Sequence, residues 1–270
     1  MKKTICAALL AAVAIPASMM AAQAVSKSVS TASIPGATVT PAQTAQAQLA
    51  EAARLWKQME QTPAPQKFTL FAQAWSNLAL VRKAWPNDKN AFVRSGVMQA
   101  DLAGEFRLWN KAIGALQEIL PAASKTAMEP QVEQKLGKAY EQSGNTAQAE
   151  THYLAAERAM HSTHVNRVES EAVLSSVALF YARQNKPAQA ISRFREAANL
   201  PGQDAINKLH YQLSAAEQAA RVGRDAAAPE LSRFDDLVLA ARKTNLSPVD
   251  ATLVNHMTAH AQRIRDTVHL

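Results

Sequence analysis

Leu136-Gly137-Lys138-Ala139-Tyr140-Glu141-Gln142-Ser143-Gly144 is answered, 41 residues on, by Val177-Ala178-Leu179-Phe180-Tyr181-Ala182-Arg183-Gln184-Asn185. The likeness continues in register: Ala149, Tyr153 and Ala156 in one stretch match Ala190, Phe194 and Ala197 in the other. Apolar and small residues recur at steps of three and four, the period of a helix face. Small residues at Gly137 or Ala178, and at Ala149 or Ala190, let two helices of a hairpin approach closely. Tyr140, Tyr153, Tyr181 and Phe194 then fill the space between one hairpin and the next. Asn145 to Gln148 reads as a capping box opening the second helix, and Pro187 sits in the equivalent first turn.

Outward from this pair, the same texture runs along the chain. Leu49, Ala52, Trp56 and Met59 share one helical face, and Thr62-Pro63-Ala64-Pro65 interrupts it, because proline has no amide hydrogen to continue the ladder. Phe68, Phe71, Trp75, Leu78 and Trp85 form a second stripe ended by Pro86, so the two make an antiparallel hairpin. A second pair is predicted over 91–102 and 105–120 around Gly104, stopped by Pro121. A third runs over 130–160, a fourth over 171–200 and a fifth over 205–242. A last helix begins near Ser247-Pro248, with Val249, Leu253, Met257 and Ile264 closing the end of a stack. No stretch has the alternation and paired turn signals of strands. The fold class expected is all-α.

The paired motif resembles the tetratricopeptide repeat, a helix–turn–helix unit of about 34 residues with small, aromatic and proline positions at fixed offsets. One unit spans 130–163 and the next 171–204. The first has Glu133 where the family has tryptophan and His161 where it has proline. The second has Asn185 for the turn glycine and its proline one place early, at Pro201. Seven extra residues, His164 to Ser170, separate the units and would loosen their stacking. Elsewhere Gly104 and Pro121 keep the repeat's spacing, but Trp109 occupies a place that should be small. Ala216, Gly223 and Ala228 fit, whereas Ser232 replaces the aromatic residue and Phe234 is displaced. The resemblance implies an α-solenoid over 42–268: a right-handed superhelix of about five antiparallel hairpins with a C-terminal capping helix. The plain alternative is an α-bundle holding two similar hairpins.

The N-terminus reads as an address. Lys2 and Lys3 precede the apolar run Ile5 to Ile15, Pro16 and Ser18 break it, and Ala22-Gln23-Ala24 offers a cleavage pattern. A spanning helix needs roughly twenty apolar residues, so residues 1–24 are read as a cleaved secretory signal and not as an anchor. Residues 25–41, rich in Ser, Thr and Ala with two prolines, read as a disordered linker. The expected location is the bacterial periplasm. Cys6 is the single cysteine and lies within the signal, which leaves the mature chain without disulfides or thiolate chemistry. The chain is 48% apolar with only 8 glycines, a balance that favours helices around a real core. The net charge of +7, lowered by loss of the two signal lysines, is too small and dispersed to argue for nucleic acid.

Catalytic constellations are hard to find. His256 and His260 are four apart on the last helix, but Met257 stands where a zinc protease needs glutamate. His161 and His164 suit the exposed carbonyls of a helix end. Asp235 and Asp236 are adjacent and therefore diverge on a helix. No nucleophile elbow, phosphate loop or dinucleotide glycine run occurs. The expectation is a non-catalytic protein with no metal and no cofactor.

What the resemblance implies instead is a surface. In tetratricopeptide proteins the first helix of each hairpin lines an inner, concave wall that holds partner segments. Carried over by position, that wall comprises Gln134, Lys135, Lys138 and Gln142, then Ser176, Leu179 and Arg183, with His210, Glu217 and Arg221 beyond. The strip is polar and mildly basic, which fits an acidic or carboxylate-bearing protein segment, with Lys138 and Arg183 as its contacts. The family's carboxylate clamp of Lys with paired Asn is absent. The function expected is a periplasmic scaffold or adaptor in envelope or secretion-complex assembly. The alternative is a carbohydrate-associated component of exopolysaccharide or peptidoglycan machinery, which exposed tryptophans in the groove would favour. A hydrolase with an irregular site would need a convergent polar cluster.

Overall fold

A computed structural model describes residues 39–270, and the expected signal at 1–24 and residues 25–38 of the expected linker lie outside them. The described residues contain eleven helices and no strand. They pair as α1 (Ala45–Glu60) with α2 (Ala64–Ala84), α3 (Lys89–Glu105) with α4 (Trp109–Ala123), and α5 (Glu129–Gln142) with α6 (Thr146–Ser162). Then follow α7 (Arg167–Arg183) with α8 (Pro187–Ala198), α9 (Ala205–Val222) with α10 (Arg224–Arg242), and the single α11 (Pro248–Val268). Each helix packs against the next in sequence, so the chain is an all-α solenoid of five hairpins and a terminal helix. No described helix is long and apolar enough to cross a membrane.

The turns explain why the hairpins repeat. In α3–α4, α5–α6 and α7–α8 a left-handed residue follows the first helix: Arg107 at φ 56°, Gly144 at φ 86° and Asn185 at φ 54°. The next amide reaches back five residues in each: Leu108 N–H to the Ala103 carbonyl, Asn145 to Tyr140, and Lys186 to Tyr181, all at 2.9 Å. This is the Schellman geometry that satisfies orphan carbonyls at a helix end. It moves the expected turn of the second hairpin. Gly104 lies inside the last turn of α3, and Arg107 holds the position that Gly144 holds in the third hairpin. Counted from Arg107, the small residue matching Ala149 is Ala112, and Trp109 is merely the first residue of α4. Pro121 does not stop α4, which runs on to Ala123, because a proline in the last turn forfeits a single amide.

The fourth hairpin begins earlier than its motif suggests. Asn166 accepts the Glu169 amide at 3.1 Å while the Glu169 carboxylate accepts the Asn166 amide at 3.4 Å, a full capping box. Four of the seven extra residues, Arg167 to Ser170, thereby become the first turn of α7. At Asn145 only half of the expected box forms, the side chain accepting from the Gln148 amide at 3.2 Å. Ser247 caps α11 through the Asp250 amide at 3.1 Å, with Pro248 in the first position.

The core is built of overlapping blocks. One joins α1 and α2 to α3 through Phe71, Leu78 and Leu102. The next joins α3 and α4 to α5 through Leu116, Ile119 and Leu136. A third runs from α6 to α9 through Tyr153, Phe180, Phe194 and Tyr211, and a fourth closes α9 and α10 under α11 through Phe234 and Ile264. Every block spans a hairpin and part of its neighbour, which is how stacked repeats bury what one hairpin alone cannot. Aromatic rings cross the joints: Tyr153 meets Phe180 at 5.0 Å between centroids, and Phe194 meets Tyr211 at 6.4 Å.

Candidate functional site

The two sides of the stack differ. Successive first helices, α1 to α3, α3 to α5 and α5 to α7, bring Cα atoms within 8 Å of one another. No two successive second helices do so over a comparable stretch. Over its first four hairpins the stack therefore bends with the first helices on the inner arc and the second helices on the outer.

Long side chains bridge the outer arc. Arg82 of α2 donates to both oxygens of Glu118 in α4 at 2.9 and 3.0 Å. Lys186, at the head of α8, meets Glu150 of α6 at 2.9 Å, and Arg193 meets Glu157 at 2.8 Å. Arg195 continues the series to the buried Glu230 of α10, which also accepts from Gln212 and Arg233. Burial alone would raise the Glu230 pKa, but the bonds from Arg195, Gln212 and Arg233 outweigh it and hold the carboxyl below its ordinary range.

The inner arc is laced by shorter reaches. Trp56 of α1 donates its indole N–H to Glu105 of α3 at 2.7 Å, and Lys135 of α5 pairs with Asp101 of α3 at 2.5 Å. Gln134 donates to the Ala172 carbonyl at 2.7 Å and to the Ser176 hydroxyl at 2.6 Å. Arg183 of α7 forks onto Glu141 of α5 at 2.6 and 2.8 Å, and the Tyr153 phenol donates to the same carboxylate at 3.0 Å. Burial works against the Arg183 charge, yet the bond to Glu141 prevails and raises its pKa. Farther along, burial lowers the His210 pKa against the pull of Glu171. Burial also raises that of Glu217 against His260, at 3.0 Å on α11, and Arg221.

The expected wall residues thus separate by state. Gln134, Lys135, Ser176 and Arg183 are committed to neighbouring helices, and Leu179 is half-buried against the core. Lys138, Gln142 and Arg221 are exposed. Lys138 has no hydrogen bond or ion pair among the described residues. It stands at the rim of a hollow of about 300 Å³ between α3, α4 and α5. Ala112 and Leu116 of α4 and Ala139 of α5 floor this hollow, the Trp109 indole walls it, and Asp101, Glu105 and Lys135 share the rim. Gly104 makes room for that indole, since a Cβ there would lie 3.2 Å from Trp109 Cζ3. Of these residues, sequence reasoning reached Lys135 and Lys138 and missed the acids, which sit one hairpin earlier. Trp109 was visible only as an oddity of the repeat.

Trp56, Trp75 and Trp85 pack against the first core block, and none of the four indoles is fully exposed. A larger, shallower hollow of about 590 Å³ runs along α11 past Val249, Leu253 and His256, on the face of a single helix. Among the described residues no group of three or more His, Cys, Asp or Glu is placed to hold a metal ion.

No protein-family model and no curated protein matches the chain. Among solved structures it is similar to BtubC (BKLC) from P. vanneervenii, at 13% identity and a TM-score of 0.49, over 77% of this chain and 96% of that one.

Proposed function

We propose that this chain is a non-catalytic, tetratricopeptide-like adaptor of the bacterial periplasm whose inner wall holds a segment of a partner protein. The observation behind this reading is how the wall distributes its polar groups. Most are tied helix to helix, which fixes the surface, while Lys138 is left exposed above a hollow. A rigid wall with a few unspent groups binds at low ordering cost. Lys138 favours an acidic or carboxylate-bearing segment. Arg183, the other contact expected from the motif, is forked onto Glu141, which counters its charge, so the anionic contact falls to Lys138. A glycan platform has less support, since three of the four indoles are spent on the core. Assembly of an envelope or secretion complex is the process this reading suggests.

A photo-crosslinking residue placed at Lys138 or Gln142 in living cells tests the reading, with the exposed Arg158 on outer helix α6 as control. Capture of one discrete protein from the inner positions alone is expected, weakened by Lys138→Glu. Equal capture from both faces would retire it. Fractionation of cells carrying the tagged chain tests export, and recovery in the cytoplasm would count against the periplasm.

A further inference from the structure

We propose that the hollow between α3, α4 and α5 is a pocket for an aromatic side chain adjacent to a carboxylate in a partner polypeptide, a refinement that rests on the adaptor reading.

The Trp109 wall decides the apolar half. Leu116 is fully buried and Ala112 is 2% exposed, so they close the base while the half-buried indole supplies the accessible apolar face. The Trp109 ring gives one wall an aromatic face, against which a second ring stacks offset or edge-on. At about 300 Å³ the hollow has twice the space of the ~150 Å³ apolar cavity that takes benzene. It is therefore large enough for a benzyl group and the chain that carries it.

The rim decides the polar half. Asp101 and Lys135 counter each other's charge at 2.5 Å. Glu105 accepts the Trp56 indole through Oε1, leaving Oε2 without a donor among the described residues. Lys138 has three donors and no acceptor there. The charges without an opposite partner among the described residues are thus one carboxylate, Glu105, and one ammonium, Lys138. A polypeptide supplies both complements: a backbone N–H for Glu105 and a neighbouring acidic side chain for Lys138. A free cation or an uncharged apolar ligand would satisfy only part of this set. Gly104 and Trp109 are what create the cleft: the glycine yields space to the indole, which stands where the other hairpins carry a smaller residue, Thr146 or Pro187.

The test uses the protein with three probes: Ac-Gly-Phe-Asp-Gly-NH2, its Asn counterpart, and Ac-Gly-Ala-Asp-Gly-NH2. Binding is measured by titration calorimetry, and in the parent protein the indole NMR signal of Trp109 reports the site. The Phe-Asp probe should bind saturably and move that signal. The other two should bind about tenfold more weakly, the scale of one lost charged hydrogen bond or one lost aromatic contact. Trp109→Ala should remove the preference for Phe. Lys138→Glu should remove that for Asp and transfer it to a Phe-Lys probe. Both positions lie at the pocket's surface, and an unchanged helical spectrum shows that each variant folds. Equal binding of the Asp and Asn probes, or an unmoved Trp109 signal, overturns the pocket. Crosslinking confined to the inner face with no probe binding sinks the pocket and keeps the adaptor. Probe binding without face-selective crosslinking does the reverse.

Discussion

Gly137 lies directly under the ring of Tyr153: a Cβ at that glycine would stand 2.8 Å from the ring carbons Cγ and Cδ1. The tyrosine has nowhere to retreat. It is 2% exposed, it meets Phe180 of the next hairpin, and its hydroxyl is held by Glu141. Gly137→Ala should therefore destabilise the protein by about 1–2 kcal/mol, the overpacking cost less the gain in helix propensity. Gly114, on the exposed face of α4 with nothing near its would-be Cβ, gives the opposite sign. Gly114→Ala should stabilise by about 0.5–1 kcal/mol. Chemical denaturation of both variants followed by circular dichroism checks the pair; a loss in both, or a gain in both, contradicts the packing described.

Asn166→Ala should cost about 1 kcal/mol by removing the cap of α7. The amide of Glu169 should lose protection from hydrogen exchange while those of α8 keep theirs. Undiminished protection at Glu169 would show that the box does not hold the turn.

Acidification should expose the role of Glu230. Its folded pKa is depressed, so between that value and the ordinary carboxyl value near ~4.3 the unfolded chain takes up a proton that the folded one refuses. The stability it contributes is complete above the ordinary value and is lost as pH falls through the depressed one. Glu230→Gln should lower stability by about 2 kcal/mol at neutral pH and flatten the acid side of the stability curve. A variant whose acid limb parallels the parent's would assign that limb to other carboxyls.

Alkali should single out Tyr153. Burial, with the charge of Glu141 and the bond to it, pushes its phenol well above the ordinary tyrosine range. A raised folded pKa contributes stability that is complete below the unfolded value of about 10 and fades as pH climbs beyond it. Absorbance titration should find Tyr153 protonated until the fold is lost. Tyr153→Phe should cost about 1 kcal/mol at neutral pH and reduce the alkaline decline. Phe194, which fills the matching place in the next hairpin without a hydroxyl, indicates that the ring alone suffices for packing.

The five hairpins and the last helix were legible because apolar spacing and prolines report helix faces and breaks directly. Where the reading slipped, a residue took an unexpected backbone state. Gly104 looked like a turn glycine, yet Arg107 adopts the left-handed conformation and Gly104 serves the Trp109 ring. The expected strip lies on the first helices of the hairpins, but it overcounted free cations. Arg183 and Lys135 find acids 42 and 34 residues away, and no local pattern announces which charges a stack will pair. The Trp109 hollow was hidden for the same reason, since three helices contribute to it.

Over a shared apolar core, successive second helices are tethered by arginine, lysine and glutamate side chains and scarcely approach by backbone, whereas the first helices abut from α1 to α7. Salt weakens such tethers more than it weakens apolar contact. Raising ionic strength should therefore loosen the half-exposed Lys186–Glu150 tie of the outer rim before the pairs seated on Arg82, Glu157 and Glu230, while the abutting backbones of the inner rim hold their pitch.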